Sequence, residues 1–227
     1  MATLVTAFFP LPTAKHSIDI YREQFAKLVA LDRPIVLFLD RHLSWTFPPH
    51  VRVIPCSLSE TWPAQLLPET ASLPVHRGPA DTVEYMRIML AKTEFLVRAT
   101  ELVPEAEWVA WVDFGLAHVF RRPEETLARL RTLPMPPAPC RRTAGIWMGT
   151  PGSLTEGVCW RFAGGFLLAH RSGVADLDAA VQDAVRRLLP HAVWEVNAWA
   201  DAERHGVDFG WFAANHDDSI IPFTDQL

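Results

Sequence analysis

Trp108-Val109-Ala110-Trp111-Val112-Asp113-Phe114-Gly115 (WVAWVDFG) decides the fold class of this 227-residue chain. Five apolar residues in a row, with acidic residues before them and Asp-Phe-Gly after, have the pattern of a strand covered on both faces. Ligands of open α/β sheets collect beyond the carboxyl ends of the strands, and Asp113 stands at such an end. A carboxylate there suits a divalent cation, which prefers hard oxygen ligands. It equally suits the cap of a following turn. The residue types leave both uses open.

Working back from that strand, Ala2 to Phe9 (ATLVTAFF) reads as a first strand closed by Pro10 and Pro12. Ser17 to Leu31 places Ile18, Tyr21, Phe25, Leu28 and Val29 at helical spacing, which predicts an amphipathic helix. Pro34 leads into Ile35-Val36-Leu37-Phe38-Leu39, a second buried strand closed by Asp40, and Val51-Arg52-Val53-Ile54 is a short third one. This succession opens a parallel sheet with right-handed crossovers. Residues 57–79 carry four prolines and predict a flap or binding loop with short helical turns. Asp81 or Thr82 caps a single helix running to about Leu102, with Tyr85, Met89, Lys92 and Leu96 on one stripe. Lysine occurs only at positions 15, 27 and 92, so a lysine on an apolar stripe is notable. It either reaches out to solvent or points at an anion.

Working forward, Pro123 to Leu133 is a short helix and Pro134 to Pro139 a stiff connector. Gly145 to Met148 and Trp160 to Ala169 read as strands, the second interrupted by Gly164-Gly165. Paired glycines in a strand mark a bulge or a close approach of ligand to backbone. Asp176 to Leu189 and Trp194 to Arg204 are helices, the latter stopped by Gly206 and carrying Glu195 and Asn197 in its first turn. Near the end, His216 lies beside Asp217 and Asp218 in a polar turn, a setting for a metal ligand or a solvated loop.

The composition bounds the function. With 49% apolar and 21% charged residues, the chain is expected to form one α/β domain over 1–227. A formal net charge of -5 argues against nucleic acid as a partner. Cys56, Cys140 and Cys159 are widely spaced and unpaired in pattern, which fits a cytoplasmic protein. No run of eighteen apolar residues predicts a membrane span, and no signal peptide is visible. There is no P-loop motif, no G-x-G-x-x-G after the first strand and no G-x-S-x-G. Those absences argue against P-loop phosphotransferases, Rossmann dehydrogenases and typical α/β-hydrolases.

The segments TLVTAFF (3–9), PIVLFLD (34–40), TVEYMRIMLAK (82–92), WVAWVDFG (108–115), FAGGFLLA (162–169) and WEVNAWA (194–200) resemble, in order, the HtrL/YibB-like family of bacterial glycosyltransferases. The resemblance implies a GT-A-like fold: a single α/β domain, a mostly parallel central sheet flanked by helices, and a nucleotide-sugar site at the strand ends. It implies transfer of a sugar from a nucleoside-diphosphate-sugar donor to a hydroxyl of a glycan, lipid-linked intermediate or small molecule.

By the same resemblance, Thr6, Phe8 and Asp40 would lie beside the nucleoside, and Tyr85 and Lys92 would face the diphosphate. Asp113 would take the place of the Asp-x-Asp motif that holds Mn2+ or Mg2+ against the phosphates. Here the chain departs from the motif, since position 115 is glycine, and His216 would supply the second ligand. Gly164 and Gly165 would let the sugar approach, with Trp194 and Asn197 beside it, and Glu195 would be the carboxylate nearest the reacting carbon. A nucleotide-sugar hydrolase, a nucleotidyltransferase, or a degenerate domain that binds nucleotide or glycan without turnover are the competing expectations.

Overall fold

The computed structural model describes residues 1–136, 141–145 and 152–223. Strand β1 (Thr3–Phe8) leads through helix α1 (Ile18–Val29) into β2 (Ile35–Asp40) and β3 (Val51–Cys56). Helices α2 (Trp62–Leu66), α3 (Val83–Leu90) and α4 (Lys92–Leu102) precede the central strand β4 (Trp108–Val112). Then come α5 (Pro123–Arg131), β5 (Arg141–Gly145), β6 (Phe162–His170), α6 (Val174–Leu188), α7 (Glu195–Arg204) and the two-residue β7 (Phe212–Ala213).

The sheet order is β3-β2-β1-β4-β6-β5-β7. The first four strands run parallel, as the alternation of apolar runs and helices predicts. Strand β6 runs antiparallel to both β4 and β5, and β7 is parallel to β5. The sheet is therefore mixed but mostly parallel, with β1 to β4 forming its parallel half. Helices α3, α4, α6 and α7 cover one face, over Val5, Val109 and Trp111. Helices α1 and α5 cover the other, over Leu4, Phe8 and Ala110. Both faces of β4 are buried, which accounts for its unbroken apolar run.

Several boundaries differ from expectation. Ser17 caps α1, accepting from the Ile20 amide, but Ile18 is exposed and only Phe25 and Leu28 are fully buried in that helix. The long helix predicted from 82 to 102 divides at Ala91. Thr82 caps its first part through the Tyr85 amide. Neither glycine nor proline marks the break; it turns α4 so that Phe95, Leu96 and Ala99 lie on the sheet while Lys92 begins the helix fully buried. The 57–79 segment contains helical turns but is not an open flap. Ser72 bridges to His191 and His76 to Gly157, so the loop is tied to two others. Residues 146–148, expected as a strand, lie outside the described residues.

Strand β6 carries a bulge at the paired glycines. Its register against β5 jumps from Thr143–Leu167 to Ala144–Ala163. The inside–outside alternation reverses across the jump: Phe162 shares a core with Leu167, and Ala163 with Phe166 and Leu168. An odd number of extra residues produces that reversal.

Cys56 ends β3 with no exposed surface, and burial pushes its thiol up to about 11. At pH 8 only about one molecule in a thousand then carries the thiolate that reacts. Alkylation with iodoacetamide at pH 8, read residue by residue by mass spectrometry, should leave Cys56 unmodified until urea unfolds the chain. Labelling of Cys56 in the native protein at the rate seen in urea would contradict this packing.

Candidate active site

The site forms where β4 ends and the β6 bulge passes beside it. The Asp113 amide donates to the Gly165 carbonyl at 3.0 Å, so the residue after the central strand is fixed to the bulge. At the start of α4 the Lys92 ammonium is buried and surrounded by three oxygens. Glu195 Oε1 is at 2.6 Å, Asp113 Oδ1 at 2.8 Å and the Gly164 carbonyl at 2.9 Å. An ammonium has three protons, so all of them are committed within the protein. Trp111 Nε1 donates to the same Asp113 Oδ1 at 2.7 Å, and the lysine lies 5.7 Å over the Trp111 ring. Burial alone would depress the lysine pKa. The two carboxylates outweigh it, and the pKa is raised.

One ammonium and two carboxylates leave this cluster with a net charge of about -1. Burial is graded across it: the Asp113 side chain is 33% exposed, while those of Glu195 and Lys92 are almost fully covered. Asp113 Oδ2 has no hydrogen-bond partner among the described residues, and its carboxylate is the one that reaches the surface.

The glycines take their identity from this cluster. A Cβ on Gly164 would fall 1.8 Å from Glu195 Oε1, which Lys92 pins in place. On Gly165 it would fall 2.7 Å from Leu116 Cδ1 and 3.0 Å from Ile220 Cδ1. Both glycines are thus accounted for by protein neighbours, without a sugar approaching the backbone. Gly115 has a similar reason: the Tyr21 ring stands 3.2 Å from where its Cβ would be. A side chain at position 115 would need the Tyr21 ring to give way by a few tenths of an ångström.

The other expected residues divide into those near the cluster and those turned into the fold. Tyr85 is largely buried, and after burial the fields of Glu195 and Asp113 push its phenol further above the ordinary range, so it stays a neutral donor beside them. His216 is pulled below the ordinary histidine value, first by burial. Asp113 and Glu195 act against that shift, while His118 and Lys92 reinforce it. The residue keeps much of its surface open and stands in the field of the cluster. Its neighbours in sequence are not ligands: Asp217 accepts from the Ser219 amide and hydroxyl, at 3.0 and 2.7 Å. Asp218 accepts from the Arg121 and Arg122 amides and from the Thr126 hydroxyl, which anchors the tail turn to the start of α5. That anchor carried no motif in the sequence.

Lys92 has no proton left for a diphosphate, because two carboxylates and the Gly164 carbonyl take all three. Thr6 is buried inside β1 with its hydroxyl unpartnered. Phe8 is packed among Tyr21, Trp45 and Phe114 at 4.6–5.5 Å, a core position rather than a face open to a base. Asp40 is half-buried at the end of β2, where it accepts from the His42 amide at 2.9 Å. Trp194 is buried at the N-cap of α7. Asn197 holds the 154–159 turn, accepting from the Cys159 amide and donating to the Leu154 and Gly157 carbonyls. Its side chain is fully buried in serving that turn. Glu195, placed by expectation at the reacting carbon, is 5% exposed and engaged by Lys92, so it acts on the site through the lysine.

Among the described residues no three of the metal-ligating side chains converge. Asp113 offers one open carboxylate, the oxygen donor type that a hard divalent cation takes, and His216 offers an imidazole, a softer donor that suits transition metals better. No described helix is long and apolar enough to cross a membrane.

Comparison with solved structures gives the class of fold. The chain is similar to the crystal structure of a glycosyltransferase involved in the glycosylation of the major capsid of PBCV-1, with a TM-score of 0.50 and 11% identity. The match covers 94% of this chain and 81% of that one. At that identity the likeness establishes a glycosyltransferase-like α/β fold. No protein family matches the chain, and no curated protein does.

Replacing Gly164 by alanine should drive Glu195 off Lys92 and lower stability by about 2 kcal/mol or more in urea unfolding. Combined with Glu195→Ala, the loss should be less than the sum by about 1 kcal/mol or more, since the clash goes with the carboxylate. Additive losses would show that Gly164 is required for another reason.

Proposed function

We propose that this protein is a glycosyltransferase that takes a sugar from a nucleoside diphosphate and passes it to a hydroxyl acceptor. The observation that carries this reading is the Asp113–Lys92–Glu195 cluster at the carboxyl end of the central strand, on a glycosyltransferase-like fold. The ordered motifs that resemble the HtrL/YibB-like family support it as well.

The chemistry asks for negative potential where a cation must sit. A net charge of about -1, held in a covered site, favours either a divalent metal or the developing positive charge on an anomeric carbon. Asp113 Oδ2 and His216 are the groups that would hold Mn2+ or Mg2+, whose chemistry when bound is to neutralise the diphosphate leaving group. Lys92 keeps Asp113 in one rotamer, because its ammonium and the Trp111 indole grip the same oxygen. Glu195 balances the lysine, so burying the ammonium does not drive off its proton. Tyr85 stays protonated in the field of both carboxylates. These fixed groups are oriented before substrate arrives, which is where electrostatic catalysis gains most.

A second reading draws on glycine at position 115, where the second carboxylate of the metal motif is missing: a domain that binds nucleotide or glycan without turnover. Release of labelled sugar from a donor panel separates the two, and release into water without acceptor would mark a hydrolase.

Thermal shift tests the nucleotide site directly. With UDP, GDP or TDP at about 100 times Kd, a native-state ligand adds about 2.7 kcal/mol. For a chain of this size that is a rise of roughly 5–10 °C in Tm. One of the three should give such a rise with Mn2+ present, and Asp113→Asn, which preserves shape and removes charge, should abolish most of it. An undiminished rise in Asp113→Asn would move the nucleotide site away from β4.

A further inference from the structure

Trp160 stands just before β6, and 47% of its surface is exposed. The chain buries Trp108, Trp111, Trp194 and Trp199 to 6% or less and leaves Trp45, Trp62 and Trp211 half-buried, so Trp160 is the most open of its described tryptophans. Single exposed apolar side chains are common on protein surfaces and carry little meaning alone. Here the position and the bracing add meaning. Strand β6 runs antiparallel to β4, and Phe166 pairs with Val112, the last residue of β4. Residues before Gly165 in β6 therefore project past the carboxyl end of β4, on the edge where Asp113 lies. Five extended residues from Gly165 to Trp160 span at most roughly 17 Å, and the bulge shortens that. The ring meets His216 edge-on at 6.2 Å, and His216 is the imidazole that feels Asp113, Lys92 and Glu195.

The segment that carries the ring is held firmly. Asn197 accepts from the Cys159 amide at 2.7 Å and fixes the preceding carbonyls at 2.8 Å. Arg161 grips both oxygens of Glu203, at 2.9 and 2.8 Å, and lies over the Trp211 ring at 4.9 Å. Residues on both sides of the tryptophan are immobilised while its indole is left out. A rigid, exposed aromatic face costs little entropy on binding and offers apolar area with a polar edge.

We propose that Trp160 is the platform on which the acceptor sugar stacks. This rests on the glycosyltransferase reading and names the acceptor class: a glycan or glycoside with a pyranose ring whose C–H face lies on the indole. The parallel half of the sheet offers its strand ends to the nucleotide. The antiparallel half, from which Trp160 extends, brings the second substrate to the same carboxylates. Weak C–H contacts to the ring together with apolar burial supply the attraction.

The test uses 15N-labelled protein, with the indole signal of Trp160 assigned by its loss in Trp160→Phe. Methyl glycosides of glucose, galactose, mannose and rhamnose are titrated with and without UDP, GDP or TDP. At least one should move the Trp160 signal saturably. Its affinity, read in wild type and variants alike from the backbone amide signals that shift in the same titration, should fall at least about tenfold in Trp160→Ala and recover in Trp160→Phe. The ligand-free Tm of each variant confirms that it has folded. If nucleoside diphosphate raises the wild-type Tm but no glycoside moves the Trp160 signal, the platform assignment falls and the transferase reading stands. If only intact nucleotide-sugars move it, the ring belongs to the donor and the acceptor assignment is overturned. If no nucleotide raises the Tm, the transferase reading falls first, and this inference with it.

Discussion

An ammonium buried without water is tolerated only when oxygen surrounds it, and Lys92 is in that position. Its requirement for three oxygens draws together four parts of the chain: the start of α4, the residue after β4, the bulge in β6 and the first turn of α7. Helix α4 breaks away from α3 so that the lysine can enter. Glu195 comes from the helix that packs behind, and the Gly164 carbonyl turns inward because its strand is bulged. None of these features is needed by a sheet as such. Together they cost stability unless every partner is present, and for that reason they indicate a site.

The same cluster explains why some residues that look functional are structural. The paired glycines leave room for a carboxylate and for two aliphatic side chains. Gly115 leaves room for Tyr21. Asn197 holds a turn, and Asp217 and Asp218 fold and anchor the tail. Anchoring the tail in turn carries His216 into the field of Asp113. Structural residues thus place the reactive ones, and the division between them follows burial: charge that is covered supports, and charge that is open can bind.

Much of the fold was legible because apolar runs and helical spacing are local signals. The strands at 3–8, 35–40 and 108–112 follow from uninterrupted β-branched and aromatic residues, and Ser17 and Thr82 cap helices as their chemistry requires. Lys92 stood out in the sequence as a lysine on an apolar stripe and Asp113 as a carboxylate at a strand end. Glu195 read as an ordinary helix-start acid and was singled out only by the resemblance. Their mutual pairing was not readable, because residues 92, 113 and 195 are brought together only by sheet order and by an antiparallel β6. Phe8 and Trp194 look the same in sequence whether they face a ligand or a core. The helix break at Ala91 is imposed by packing, since alanine and leucine favour continuation.

The bulge in β6 also bears on the length of the strand. Because inside and outside exchange at residues 164–166, Phe162 and Leu167 share one hydrophobic layer although five positions separate them. Plain alternation would put residues five apart on opposite faces, so at this length only the bulge keeps both in the layer of α6 and α7. A strand shorter by one residue could keep both there with no bulge at all, since four positions already return to the same face. What that shorter strand would give up is the irregular backbone whose Gly164 carbonyl meets Lys92, so the extra length serves the buried ammonium and not the hydrophobic layer.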